Sequence, residues 1–136
     1  MPASQSLTIL VVDDEHAVRD FIRRQLVALG HTVLEASHGL EALHYVRVQR
    51  SIDLVLADVI MPMMNGAELA ATLISEAPDL PVVLMSAYVP PDLVRVGMRQ
   101  TVVPILVKPF ATDQLKQLPS MAAELRETRG LSSAKR

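Results

Sequence analysis

Five polar residues stand where apolar runs end: Asp13 and Asp14 after LTILVV, Asp58 after IDLVLA, Ser86 inside PVVLMSA, and Lys108 after VVPILV. Three carboxylates gathered in one cleft cannot all stay ionised unaided; one pKa rises or a cation enters. With no Cys, and with His16, His31, His38 and His44 lacking ligand spacing, the donor set is oxygen and suits a hard ion. Mg²⁺ fits best, because it takes few protein oxygens, keeps water and partners phosphate groups. Lys108 adds a mobile positive charge and Ser86 a hydroxyl donor. A metal, a cation and a positioned carboxylate nucleophile are what phosphoryl transfer requires. Each residue also has a plainer reading. An Asp at a strand end often caps a helix or closes a turn, and Asp13 could serve the following helix in that way. A serine after a strand is commonplace, and Lys108 could be a solvated edge lysine were it not followed by Pro109-Phe110. Met61, Met63 and Met64 read as adaptable packing. The four His read as surface residues, with His16 near enough to the acids to sense pH.

The elements that must position these residues follow from hydrophobic period. Residues 7–12, a run rich in branched residues and apolar on both faces, read as a strand in a sheet covered by helices; 32–36 is a short second strand, and the apolar runs at 52–57, 81–87 and 102–107 are the third to fifth. Between them lie segments of helical period. Val18, Phe21, Ile22, Leu26 and Leu29 recur at steps of three and four, and Gly30 stands where a helix-ending glycine belongs. A weaker helix follows Gly39 and ends near Arg50, a third spans GAELAATLISEA from Gly66, and a last one runs from Thr112 to about Thr128. Pro90-Pro91 can open a helix only at its first turn, so a short helix from Asp92 to about Gln100 is expected. Strand then helix, five times over, gives an α/β fold with a parallel sheet, helices on both faces and right-handed crossovers. In such sheets ligands bind outside the carboxyl ends of the strands, where all five polar residues stand.

Composition excludes several function classes. At 136 residues the chain is one domain, expected over residues 7–127 with flexible termini at 1–6 and 128–136. Half its residues are hydrophobic, enough for a substantial core, yet no run approaches the roughly 20 residues that cross a bilayer. A net charge of −2, with two Phe, two Tyr and no Trp, argues against direct nucleic-acid binding. The start MPASQS does not read as a signal peptide, and the lack of Cys suits the cytoplasm.

The motifs VVDDE (11–15), LADVIMPMMNG (56–66), LMSA (84–87) and VKPF (107–110) resemble those of the response-regulator receiver domain of two-component signalling, over about residues 7 to 127. The resemblance implies a flavodoxin-like (βα)5 fold, a doubly wound five-stranded parallel sheet of order 2-1-3-4-5. It implies that Asp58 accepts a phosphoryl group from a histidine-kinase phosphohistidine, or from a phosphotransfer protein. Asp14, Asp58 and the Ile60 carbonyl would hold Mg²⁺ directly, with Asp13 acting mainly through water. Ser86 would hydrogen-bond the phosphoryl oxygen and Lys108 would pair with it, aimed by a cis Lys108-Pro109 peptide. The family signals through a surface of fourth helix, fifth strand and fifth helix, which is also a common route to homodimers. It is bacterial and cytoplasmic, and it is a switch rather than a turnover enzyme. The histidine kinase and an output protein are the implied partners, with neither nucleic acid nor membrane contacted directly.

Three departures from the pattern bear on the switch. Ile105 stands where the family usually has an aromatic residue that swings inward when the Ser/Thr engages phosphate. Ile60 and Tyr88 occupy the positions where the family tunes phosphoryl lifetime, and an apolar Ile beside a bulky Tyr would screen the acyl phosphate from water, giving slow autodephosphorylation. Pro90, Pro91 and Gly97 make the fourth helix unusual. Two other readings stay open: a degenerate receiver acting as a phosphorylation-independent binding module, favoured by Ile105, and a Mg²⁺-dependent phosphatase with an aspartyl nucleophile. The adjacent Asp13-Asp14, in place of two acids separated by one residue, argues against the phosphatase.

Overall fold

The computed structural model describes residues 6–49, 51–87, 93–96, 101–108 and 112–134. Its elements are β1 (Thr8–Val12), α1 (His16–Ala28), β2 (Thr32–Ala36), α2 (Gly39–Val48), β3 (Leu54–Asp58), α3 (Gly66–Glu76), β4 (Val82–Ser86), β5 (Leu93–Val96), β6 (Thr101–Val107), α4 (Thr112–Lys116) and α5 (Leu118–Ala134). They form one sheet of order β2-β1-β3-β4-β6-β5. The five strands expected from sequence are parallel and in the expected order, β6 serving as the fifth.

Alternation along the strands divides the core in two. Leu10, Val12, Val55, Ala57, Val82, Leu84, Val103 and Ile105 pack with Ala42 and Leu43 of α2 and Leu69, Ala70 and Leu73 of α3. The intervening Ile9, Val11, Leu54, Leu56, Val83 and Met85 face Ile22 and Leu26 of α1 and Leu115, Leu118 and Ala122 of α4 and α5. Every residue of β3 and β4 is buried, as a sheet covered on both faces demands.

Local chemistry sets the helix ends. Gly30 takes φ +99°, its N–H bonds the Val27 carbonyl at 2.9 Å, and the His31 N–H bonds Leu26 at 3.1 Å, a Schellman closure of α1. Asn65 and Glu68 form a reciprocal capping box that starts α3.

Two expectations are corrected. The short helix over Asp92–Gln100 is replaced in its described part by β5, which pairs antiparallel with β6, Leu93 facing Pro104 and Val96 facing Thr101. Two β-branched residues in LVRV favour the pleated state, and Val96, 4% exposed, is buried on the α3 side of the core. The single last helix is broken at Gln117, because Pro119 has no N–H to continue the bonding from α4 into α5. The second part continues to Ala134, beyond the expected Thr128. Among the described residues no helix is long and apolar enough to cross a membrane.

Candidate functional site

β1 and β3 are neighbours in the sheet, and the chain leaves β1 toward β2 on one side before returning to β3 on the other. The crevice at their carboxyl ends is therefore a topological switch point. It holds the acids. Carboxylate oxygens of Asp13, Asp14 and Asp58 all lie within 4.8 Å of one another, Asp13 and Asp58 buried and Asp14 exposed.

Asp13 is fully buried and held at every polar atom. Its N–H donates to the Ala36 carbonyl at 3.1 Å, and its own carbonyl accepts from Arg19 Nη1 at 2.7 Å. Oδ1 accepts from the Glu15 N–H at 2.9 Å, and Oδ2 from Lys108 Nζ at 2.8 Å. The Glu15 contact closes a turn two residues long, so Asp13 does not cap α1; the N-cap position is Glu15, which makes no side-chain cap bond.

Asp58 ends β3, where the Val59 N–H bonds the Met85 carbonyl at 2.9 Å and ties the exit to β4. The loop then turns back, and Gly66, the first residue of α3, donates to the Val59 carbonyl at 2.8 Å. A Cβ at Gly66 would overlap the Asp58 carbonyl oxygen, so only glycine lets α3 start this close to the acid. Met61 is buried in the α3-side core, as packing requires, and Met64 covers Gly39 at the start of α2. Met63 is 78% exposed and takes φ 68°, an unusual backbone for a residue with a side chain.

Lys108 follows β6. Its N–H donates to the Ser86 carbonyl at 2.7 Å, which sets it beside the end of β4. From there Nζ reaches Asp13 at 2.8 Å and Asp58 Oδ1 at 3.5 Å, with the side chain only 13% exposed. Ser86 is buried at the end of β4, opposite Val107. Burial is the largest influence on Asp58 and raises its pKa to about 6; the Asp13 charge pushes the same way, while Lys108 and the Ile60 N–H pull it down without prevailing. Three carboxylates against one ammonium leave a negative excess, so the donor set fits a hard divalent cation.

The structure thus brings Asp13, Asp14, Asp58, Ser86 and Lys108 to one rim. It sets the Ile60 N–H near enough to the Asp58 carboxylate to favour its charged form slightly, and leaves the Ile60 side chain 58% exposed. Ile105 is buried opposite Leu84 in the α3-side core, where it packs rather than lines the cleft. Tyr88, Pro90, Pro91, Gly97, Pro109 and Phe110 lie outside the described residues. The reading of all four His as surface residues fails for two of them. His31 is buried, its Nδ1 accepting from the Leu7 N–H at 3.0 Å, and half-buried His38 accepts from the Glu41 N–H at 3.2 Å as the cap of α2. Sequence reasoning missed Arg19, although a signal existed: it lies three residues before Ile22 and seven before Leu26, a charged residue on the inward stripe of α1.

Comparison with known proteins gives one answer. Residues 9–119 match the model of the response regulator receiver domain. The chain is 40% identical over 124 residues to the response regulator MprA of Mycobacterium ulcerans, covering 91% of this chain and 52% of that protein. It thus spans about half the length of the curated relatives it matches. The structure superposes on the chemotaxis protein CheY4 of Vibrio cholerae with a TM-score of 0.73 at 26% identity, over 86% of this chain and 99% of that one. On the receiver domain of the Francisella response regulator 1452 the TM-score is 0.75 at 25% identity, over 88% and 98%.

Proposed function

We propose, for a chain that belongs to the response regulator receiver domain family, that it is a phosphorylation switch whose acceptor is Asp58. The observation that carries the reading is the convergence of Lys108 on Asp13 and Asp58 inside a cluster of three acids at the switch point of the sheet. An Asp58 oxygen attacks the phosphorus of a phosphohistidine on a histidine kinase or phosphotransfer protein. The P–N bond breaks, the acyl-phosphate P–O bond forms, and the electron pair leaves with the imidazole. Asp13, Asp14, Asp58 and the Ile60 carbonyl would hold Mg²⁺, which supplies positive charge to the transferring oxygens. Lys108 can exchange its contact with Asp58 for one with the phosphoryl group, and Ser86, next to the Met85 that pairs with Asp58 across β3 and β4, would donate to it.

The domain carrying this activity is taken as residues 7–127 and its setting as the bacterial cytoplasm. The output partner, or a second copy in a homodimer, is proposed to dock on the edge formed by β5, β6 and α5. That edge connects to the site directly, since β6 runs straight into Lys108. One observation favours a second reading, a phosphorylation-independent binding module: Ile105 is packed in the core in place of a mobile aromatic.

Incubation with Mg²⁺ and acetyl phosphate, followed by intact mass, separates the readings. Gain of one phosphoryl group, lost in Asp58→Asn, supports the switch. No modification by acetyl phosphate or by a histidine kinase supports the binding module, and continuous phosphate release from many small esters would instead support a phosphatase. The tuning positions give a further expectation. Ile60→Asn replaces an exposed apolar side chain beside the acceptor with one that can orient water, so the half-life of the phosphorylated protein should shorten severalfold. An unchanged half-life, in this variant and in Tyr88→Ala, would remove the screening argument.

A further inference from the structure

We infer that Arg19 is the positioning residue of the acid cluster, fixing the peptide between Asp13 and Asp14 so that both carboxylates converge on a divalent cation. This rests on the switch reading above and deepens it by assigning the group that organises the metal site.

Arg19 sits in the first turn of α1 with its side chain 13% exposed, and each of its three guanidinium nitrogens has a partner. Nη1 donates to the Asp13 carbonyl at 2.7 Å, Nε to Glu35 Oε1 at 3.0 Å, and Nη2 lies 3.2 Å from His16 Nδ1. The first of these contacts decides the role. The Asp13 carbonyl belongs to the planar unit that joins the two acids, so holding its oxygen sets ψ of Asp13 and φ of Asp14 together. Asp13 has its remaining polar atoms fixed by Ala36, Glu15 and Lys108. Asp14 is exposed, and the plane gripped by Arg19 is its link to the buried strand.

Charge fits the same role. A bare guanidinium beside the cluster would repel a cation, but Arg19 is paired with Glu35 of β2, so the three acids keep their negative excess. Geometry requires arginine in particular, because a planar fork can hold a carbonyl and a carboxylate at once whereas a lysine ammonium is a single point.

The test is calorimetric titration of Mg²⁺ alone into the full chain, with thermal unfolding in chelator measured beside it. Removing the partner that orients metal ligands typically costs 10–100-fold in affinity, so Arg19→Gln should weaken Mg²⁺ binding about tenfold or more. Arg19→Lys should recover part of the loss. Arg23→Gln is the control, since Arg23 contacts the same Glu35 at 3.5 Å and Asp20 at 2.8 Å while the hydrogen bond to the Asp13 carbonyl comes from Arg19, and it should leave Mg²⁺ affinity unchanged. Should Arg19→Gln fail to fold, Arg19→Lys carries the test: an affinity equal to wild type overturns the role, and a reduced one supports it. Arg19→Gln binding as tightly as wild type overturns it, as does an Arg23→Gln variant weakened to the same degree. A wild-type chain that takes up no Mg²⁺ overturns the switch reading itself, a result distinguishable from failure of the Arg19 role alone.

Discussion

Asp58 and His31 are buried ionisable groups whose environments oppose their charged forms, and their effects on stability run in opposite directions with pH. Asp58 has its folded-state pKa raised from 3.8 to about 6, so between those values the folded chain binds the proton more readily than the unfolded one. Its ionised form therefore destabilises the fold above pH 6, and the penalty fades as pH falls toward 3.8. Asp58→Asn should raise the unfolding free energy at pH 7.5 by roughly 1–2 kcal/mol, about half the full linkage value once solvent screening at the cleft is allowed for. Denaturant titrations at pH 7.5 and pH 4.5 check the sign, the gain shrinking at the lower pH. His31 is the reverse case. Burial lowers its pKa from 6.5, so the unfolded chain takes up a proton first as pH drops, and stability is lost from about pH 6.5 downward. His31→Asn keeps an acceptor for the Leu7 N–H and removes the titration. Its unfolding free energy should fall less than that of wild type between pH 7 and pH 5.5; equal slopes would mean that His31 does not titrate as its burial requires.

At the scale of elements, the strand-to-helix loop after β3 holds the acceptor in place by a backbone contact. α3 begins at Gly66, whose missing Cβ lets the helix start against the Asp58 carbonyl. In an ordinary helix position Gly→Ala stabilises by about 1 kcal/mol. Gly66→Ala should do the opposite, destabilising by roughly 1–3 kcal/mol because backbone rather than a flexible side chain must move. Thermal unfolding gives the sign, and slower phosphorylation by acetyl phosphate should accompany it. The start of a helix at Gly66 was legible in the sequence, but the close approach was not, since nothing in a string of residues says which backbone a helix start will meet. The edge of the sheet teaches a similar lesson. Pro90-Pro91 and Gly97 signalled an unusual fourth helix, and its described part, 93–96, is a strand; the four residues LVRV are too short for their period to decide between helix and strand. Pairing with β6 decided it.

Over the whole molecule, a two-faced sheet supports one polar rim, and that geometry predicts a measurable coupling. A cation that binds the folded chain and not the unfolded one stabilises by mass action, by about 2.7 kcal/mol at a hundredfold excess over its Kd. Mg²⁺ should therefore raise the midpoint of thermal unfolding, and the rise should be much smaller in Asp58→Asn, which removes one anionic ligand. The order of elements as far as β4, the five parallel strands and the gathering of Asp13, Asp14, Asp58, Ser86 and Lys108 at the strand ends were legible in the sequence. Those features follow from local periodicity and from residues standing at the ends of apolar runs, information carried by a few neighbours along the chain. The tertiary structure alone decided that β5 joins the edge, that His31 is buried, and that Arg19 grips the peptide between two acids. Each of these depends on three-dimensional contacts rather than on period: His31 meets Leu7 from 24 residues away, and Arg19, six residues after Asp13, is held in place by Glu35 on β2. Local pattern places a residue on a face or at a strand end; packing decides what that face or end touches.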